Sequence, residues 1–263
     1  MGTGSRVSAR AAEPAVLRET RCEDPRVPRL ELAEWASRYG VTAGITSREG
    51  DFSLGLWTDE SSAKVQSRWG SFRAAFQDRF PSVVFSHQVH GTKVARHAGQ
   101  GPGWLVLDGL DGHVTTDSGV LLTISVADCI PVYLAEPKSG AVGLLHSGWR
   151  GTADGILARG IAAITGATGV TSDKLVIHCG VGICGNCYEV GSEVGARFVS
   201  PPPVGPTHVD LRQILAAQAR AAGVRDVTLS PWCSAHDRDR FYSHRASGGR
   251  DGRMVAYIGR PRT

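Results

Sequence analysis

The stretch ADCIPVYLAEPKSGAVGLLHSGWRG, residues 127–151, decides the fold. Residues 131–136 and 141–146 are strand-like runs flanking the turn-forming tetrapeptide PKSG. They read as an antiparallel hairpin. Pairing Glu136 with Ala141 sets Pro131 opposite His146. Cys129, two residues before Pro131, then lies on the same face and diagonal to His146. Diagonal neighbours stand about 7–8 Å apart, within reach of a shared ion once their side chains turn inward. His90, in QVHG (residues 88–91), offers a third donor from a separate strand end, with His87 as the alternative. A thiolate and two imidazoles suit zinc and leave a fourth position open for water or substrate. Taken singly, the residues have plainer readings, a packed cysteine in VADCIPV and hydrogen-bonded histidines.

Working outward, strand-like runs occupy residues 83–89, 105–107, 120–126, 175–179, 227–229 and 255–258, with VTAGITS at 41–47. Residues 30–39 read as a short helix stopped by Gly40. Residues 60–79 read as a second, with Val65, Trp69, Phe72 and Phe76 at helical spacing. Further helices are expected at about 153–164, 193–199 and 210–222, the last with an Asp at its start and Gly223 at its end. Strands come in runs without regular helix alternation. This predicts an α/β (α+β) fold, a single layered domain with mixed β-sheets flanked by helices, and not a doubly wound sheet. Residues 1–28 are rich in Arg, Ala, Glu and Pro without sustained periodicity and read as a mobile N-terminal tail. Residues 29–263 read as one catalytic domain.

The totals exclude several classes. Of 263 residues, 41% are hydrophobic and 21% charged, the balance of an ordinary globular chain. No apolar run reaches a membrane span, and MGTGSRVSARAAEP holds no apolar core of a secretory signal. The net charge of +4 is compatible with an anionic ligand but too small to argue for nucleic acid. Six cysteines in so long a chain without a signal read as reduced thiols, hence a cytoplasmic location. No protein partner is implied.

QVHG, DGHVTTD, ADCIPVYL, HSGWRG, GNCYEVG, FYSHR and GRDGRM follow one another in that order. The chain closely resembles the YfiH-like family, also labelled the laccase-domain or polyphenol oxidase family, over about residues 30–260. The resemblance implies a layered α/β domain grouped with cysteine-hydrolase-like folds. It implies zinc held by His90, Cys129 and His146. It also implies phosphorolysis of purine nucleosides (adenosine, inosine, methylthioadenosine) to free base and ribose 1-phosphate, accompanied by adenosine deamination. Older labels make these proteins copper-dependent laccases. The chain departs from the family's common residues at Gly55, Ser67 and Val181, which bear on the substrate pocket and leave the metal set intact.

Each activity makes a demand on the residues. Deamination needs a carboxylate near the metal to move protons. Asp128, beside Cys129, is the candidate, with Asp111 and Asp117 as alternatives. The zinc-deaminase pattern H-x-E…P-C-x-x-C is missing. Phosphorolysis needs a phosphate clamp. Arg150 in GWRG is expected to serve, with His244 and Arg245 as a second cationic pair. Tyr188 and Phe241 could stack on a purine but read more simply as packing. Three rival classes remain open. A copper oxidase would use the same ligands with Met254 as weak axial donor, yet nine histidines include no H-x-H pair. A cysteine hydrolase would use Cys129 as nucleophile and His146 as base. A redox or iron–sulfur module would use Cys179-x4-Cys184-x2-Cys187 with Cys233 as a distant fourth ligand.

Overall fold

The strand Val120–Val126 runs through the middle of the molecule with both faces buried. Val120, Leu122, Ile124 and Val126 join one apolar cluster with Tyr133, Ala135, Val142 and Leu144 of a second sheet. Leu121 points the other way, toward Val83, Phe85, Val255 and Tyr257. The helix Ser62–Phe76 covers that outer face with Val65, Trp69, Phe72 and Phe76, the residues its periodicity singles out. On the opposite side of the molecule, helices Ile156–Thr168 and Leu211–Ala221 pack against the second sheet through Leu157, Ile161, Ile164, Leu215 and Ala219. Two mixed sheets pressed face to face, each with helices on its outer face, give four layers. This is the layered α/β architecture that the run of strands predicts.

The computed structural model describes residues 14–99 and 101–262. The seven-stranded sheet that holds Tyr133 and Leu144 runs in the order Ala15–Val16, Asp226–Leu229, Val176–Cys179, Ile130–Glu136, Ala141–Ser147, Gly112–Thr115, Val94–His97. The sheet that holds Val120–Val126 runs Thr20–Arg21, Arg29–Glu31, Thr42–Thr46, Met254–Gly259, Val120–Val126, Ser82–His87, Gly103–Asp108. Both mix parallel and antiparallel pairs. The central hairpin has the register read from the sequence, with Glu136 opposite Ala141 and Pro131 opposite His146.

Several elements differ from expectation. The segment beginning at Leu30 is not helical from its start. Arg29–Glu31 is a strand paired with Thr42–Thr46, and the helix is Ala33–Tyr39. The helix expected at 153–164 is two pieces, Trp149–Ala153 and Ile156–Thr168, separated where Gly155 takes φ 86°. Residues 14–28, expected to be mobile, are built into the fold. Ala15–Val16 edges one sheet and Thr20–Arg21 the other. Glu19 between them is buried, where Ser230 Oγ donates to it at 2.7 Å and His178 Nε2 lies 3.0 Å away. A buried carboxylate with such partners anchors the segment that composition alone suggested was loose. Residues 1–13 of the expected tail lie outside the described residues. No helix among the described residues is long and apolar enough to cross a membrane.

Candidate metal centre and its cavity

The chain passes from one sheet to the other between Val126 and Ile130, and Cys129 stands in that crossing. His90 follows the strand Ser82–His87 of one sheet, while His146 lies within Ala141–Ser147 of the other. Three sequence-distant segments thus meet at one end of the seam. A donor atom from each of His90, Cys129 and His146 lies within 4.8 Å of the other two. The two imidazole rings face each other edge-on, 4.8 Å between centroids. His87 does not join them. It pairs with Asp108 at 2.8 Å and packs against Trp57.

Asp111 organises the group. Its carboxylate accepts from the backbone N–H groups of Val89 (3.2 Å), His90 (2.9 Å) and Gly91 (2.7 Å). Its Oδ1 also lies 2.8 Å from His146 Nδ1. The second contact fixes the His146 ring so that Nε2 is the nitrogen left for a ligand, the usual carboxylate–histidine support of a metal. The first holds a strained loop, because His90 sits at φ 60°. Burial would protonate Asp111, but the His146 hydrogen bond and charge, with the Gly91 and Val89 N–H groups, outweigh it and keep its pKa lowered. Gln88 locks the same loop to a strand. Its side chain donates to Ser125 O (2.8 Å) and accepts from Ser125 N (2.7 Å).

The electrostatics favour a thiolate. Burial pushes the Cys129 thiol up, yet the charge and hydrogen bond of His146, then those of His90, win and bring it down to about 6. Burial likewise opposes charge on His146, but Cys129 and Asp111 raise it to about 9. A deprotonated sulfur between imidazoles is the state a metal ion requires. Gly148 leaves it room: a Cβ there would stand 3.0 Å from Cys129 Sγ and 3.2 Å from His90 Cδ2. The donor set and its carboxylate support fit a resident metal ion.

The three side chains open onto a cavity of about 450 Å³, a size that suits a small organic ligand. Arg150, His244 and Arg245 all line it, so the cations expected for an anion are gathered at one site. Arg150 sits in the five-residue helix Trp149–Ala153, with its guanidinium 4.4 Å above the Trp149 ring. Arg245 Nη1 donates to Glu189 O at 2.7 Å, and the guanidinium lies 5.1 Å from the Tyr188 ring. Asp128 reaches the lining but is already engaged, accepting from Ser234 Oγ and Arg245 N, both at 2.6 Å. Its backbone is strained, at φ 83°. Asp117 caps Gly99 N at 2.7 Å and is absent from the lining. Tyr188 lines the cavity, whereas Phe241 is fully buried in the inter-sheet core.

Sequence reasoning missed Trp57 and Arg253. Trp57 is 50% exposed on the cavity wall, and Arg253 adds a third guanidinium there beside Arg150 and Arg245. No local pattern marks Trp57, whereas Arg253 lies in the GRDGRM motif, where its spacing assigns it no role. Met254, the suggested axial donor, is buried, and its sulfur accepts from Tyr242 N at 2.9 Å. It is not among the residues that line the cavity.

The chain as a whole has relatives. Residues 38–261 match the family described as multi-copper polyphenol oxidoreductase laccase, and the chain belongs to that family. A purine nucleoside phosphorylase of Deinococcus radiodurans is 41% identical over 244 residues, covering 86% of this chain and 92% of the relative. An adenosine deaminase named RL5, from an unknown prokaryotic organism, is 34% identical over 165 residues, covering 58% and 63%. The crystal structure of YlmD from Geobacillus stearothermophilus superposes with a TM-score of 0.83 at 27% identity, covering 93% of this chain and all of that one.

Proposed function

We propose that the cavity is the active site of a zinc-dependent purine nucleoside phosphorylase that also deaminates adenosine. The observation that carries the reading is the meeting of His90, Cys129 and His146 at a cavity that Arg150, His244 and Arg245 also line. Three ligands leave a position open, which distinguishes catalytic from structural zinc sites. Bound there, zinc would supply Lewis-acid polarisation of a substrate atom. Copper with the same three donors is the lesser reading, because Met254 does not line the cavity and its sulfur accepts from Tyr242 N.

The residues divide the work of phosphorolysis. Arg150, His244 and Arg245 hold phosphate by charge-assisted hydrogen bonds. Trp57 and Tyr188 offer aromatic faces to a purine. A phosphate oxygen bonds to C1′ of the ribose as the bond from C1′ to the purine nitrogen breaks, and the departing nitrogen takes a proton. The cations offset the charge that phosphate brings into the cavity. Asp128 acts on this path as the anchor of Arg245 and, in deamination, as the carboxylate in the cavity lining for proton movement. The six free thiols suit a reducing, cytoplasmic setting.

The test is product analysis. Zinc-loaded protein is incubated with adenosine, with and without phosphate. Adenine and ribose 1-phosphate formed only with phosphate support the phosphorylase, and inosine formed without phosphate supports the deaminase. Formation of neither product overturns the reading. A second reading, a cysteine hydrolase, draws on the lowered Cys129 thiol beside His146. It requires turnover by metal-free protein, since both residues cannot ligate and react at once.

A further inference from the structure

A second group of donors lies outside the cavity. Cys184 and Cys187 stand in the loop that follows the strand Val176–Cys179, and Cys233 and His236 follow the strand Asp226–Leu229. One donor atom from each of the four lies within 4.8 Å of the others. Cys187 Sγ is 3.1 Å from His236 Nε2, and Cys184 Sγ is 3.8 Å from His236 Nδ1. The backbone is already shaped around the group. Gly182 bridges Cys233, Cys184 N donates to Cys233 Sγ at 3.3 Å, and Cys187 N donates to Cys184 O at 3.0 Å. Metal–sulfur bonds of about 2.3 Å at tetrahedral angles put sulfurs roughly 3.8 Å apart, so small inward shifts would complete a shell.

We propose that Cys184, Cys187, Cys233 and His236 form a second metal site, a closed tetrahedral thiolate-rich site of the zinc class. The spacing is C-x2-C followed by C-x2-H, two short donor pairs from two loops. Cys179, grouped with Cys184 and Cys187 on spacing alone, is not a member. It is buried in the apolar core, where burial pushes its thiol up to about 12. Four protein ligands leave no open position, so the site holds structure and does no chemistry of its own. It ties together two segments that reach the cavity. The first carries Ile183 and Tyr188, and the second runs on through Ser234 to His244 and Arg245. The assignment stands on these four residues and does not depend on the reaction proposed for the cavity.

The Cys129→Ala protein isolates the site, because it removes a ligand of the first centre. Stripped and reloaded with zinc, it should retain about one ion per chain, against about two in the unaltered protein. Its cobalt form should show the strong thiolate-to-metal absorption of a three-sulfur site. Zinc should protect Cys184, Cys187 and Cys233 from alkylation, read peptide by peptide. His236→Cys, which preserves a four-ligand shell, should keep the ion, while His236→Ala should weaken its binding at least about 10-fold. Zinc-free Cys129→Ala protein that stays folded, or a Cys184–Cys187 disulfide in freshly reduced and reloaded protein, overturns the proposal. So does alkylation that zinc does not slow.

Discussion

Asp111 Oδ1 lies 2.8 Å from His146 Nδ1, while the same carboxylate collects the N–H groups of Val89, His90 and Gly91. One side chain thereby sets both the tautomer of one ligand and the loop that carries another. Asp111→Asn keeps the shape but removes the charge and turns one acceptor into a donor facing N–H groups. Metal affinity should fall about 10–100-fold, measured by competition with a chromogenic chelator. Unchanged affinity would remove Asp111 from the centre's support.

Gly148 has its place because Cys129 and His90 crowd it. Gly148→Ala puts a methyl 3.0 Å from Cys129 Sγ, tighter than ordinary carbon contacts. The helix that follows has no need of a glycine there, since Gly148 itself has φ −79°. Bound metal and turnover should therefore drop together while the thermal midpoint of the metal-free protein stays within a few degrees. A large fall in that midpoint would instead mark a general packing role.

Arg150 lines the cavity without being a ligand. Arg150→Ala should leave metal content intact and raise the KM for phosphate roughly 10–100-fold, as loss of a charged hydrogen-bond donor predicts. Steady-state kinetics with phosphate varied would show it. A change in nucleoside KM alone would place Arg150 on the sugar or base.

His113 makes stability depend on pH. Ser86 Oγ donates to Leu110 O, so its oxygen is free to accept from His113 Nε2, at 3.0 Å. That leaves His113 Nδ1 to accept from His97 Nε2, also 3.0 Å away. Both rings are buried, and burial, with the charge of His97, pushes His113 down from 6.5 to about 3. The folded protein refuses a proton that the unfolded chain takes. Stability is therefore complete above pH 6.5 and is lost as pH falls, by about 1.4 kcal/mol per unit, or roughly 2 kcal/mol by pH 5. His97 shifts the same way. Denaturant melts at pH 7 and pH 5 should show this loss, and His113→Asn should reduce it. Equal losses in both proteins would assign the acid sensitivity elsewhere.

The hairpin of residues 130–147 was readable because both arms are apolar and local, with a four-residue turn fixing the register. That register also brought Cys129 and His146 together before any fold was known. Among the strands that the sequence does not mark are Val94–His97 and Gly112–Thr115. Each is four residues long, carries a histidine, and pairs with the other across intervening chain, so neither shows an apolar run. Asp111 was readable only as one of three carboxylates, because its partners sit 20 to 35 positions away. Three of the four donors in the second group are legible in the sequence, Cys184, Cys187 and Cys233. Spacing sets Cys179 beside them in place of His236, since it cannot tell a core thiol from a loop thiol.

Glu19 joins distant parts of the chain in a way that also orders events in time. Its partners are His178 and Ser230, 159 and 211 positions downstream, and neighbouring Ala15–Val16 pairs in parallel with Thr228 and Leu229. During synthesis this segment precedes its docking site, which does not exist until the strand Asp226–Leu229 and Ser230 have followed. Closure of so long a loop is slow compared with local pairing. Ala15–Val16 is thus among the last of the described strands to settle, and until it does the sheet edge formed by Asp226–Leu229 stays uncovered.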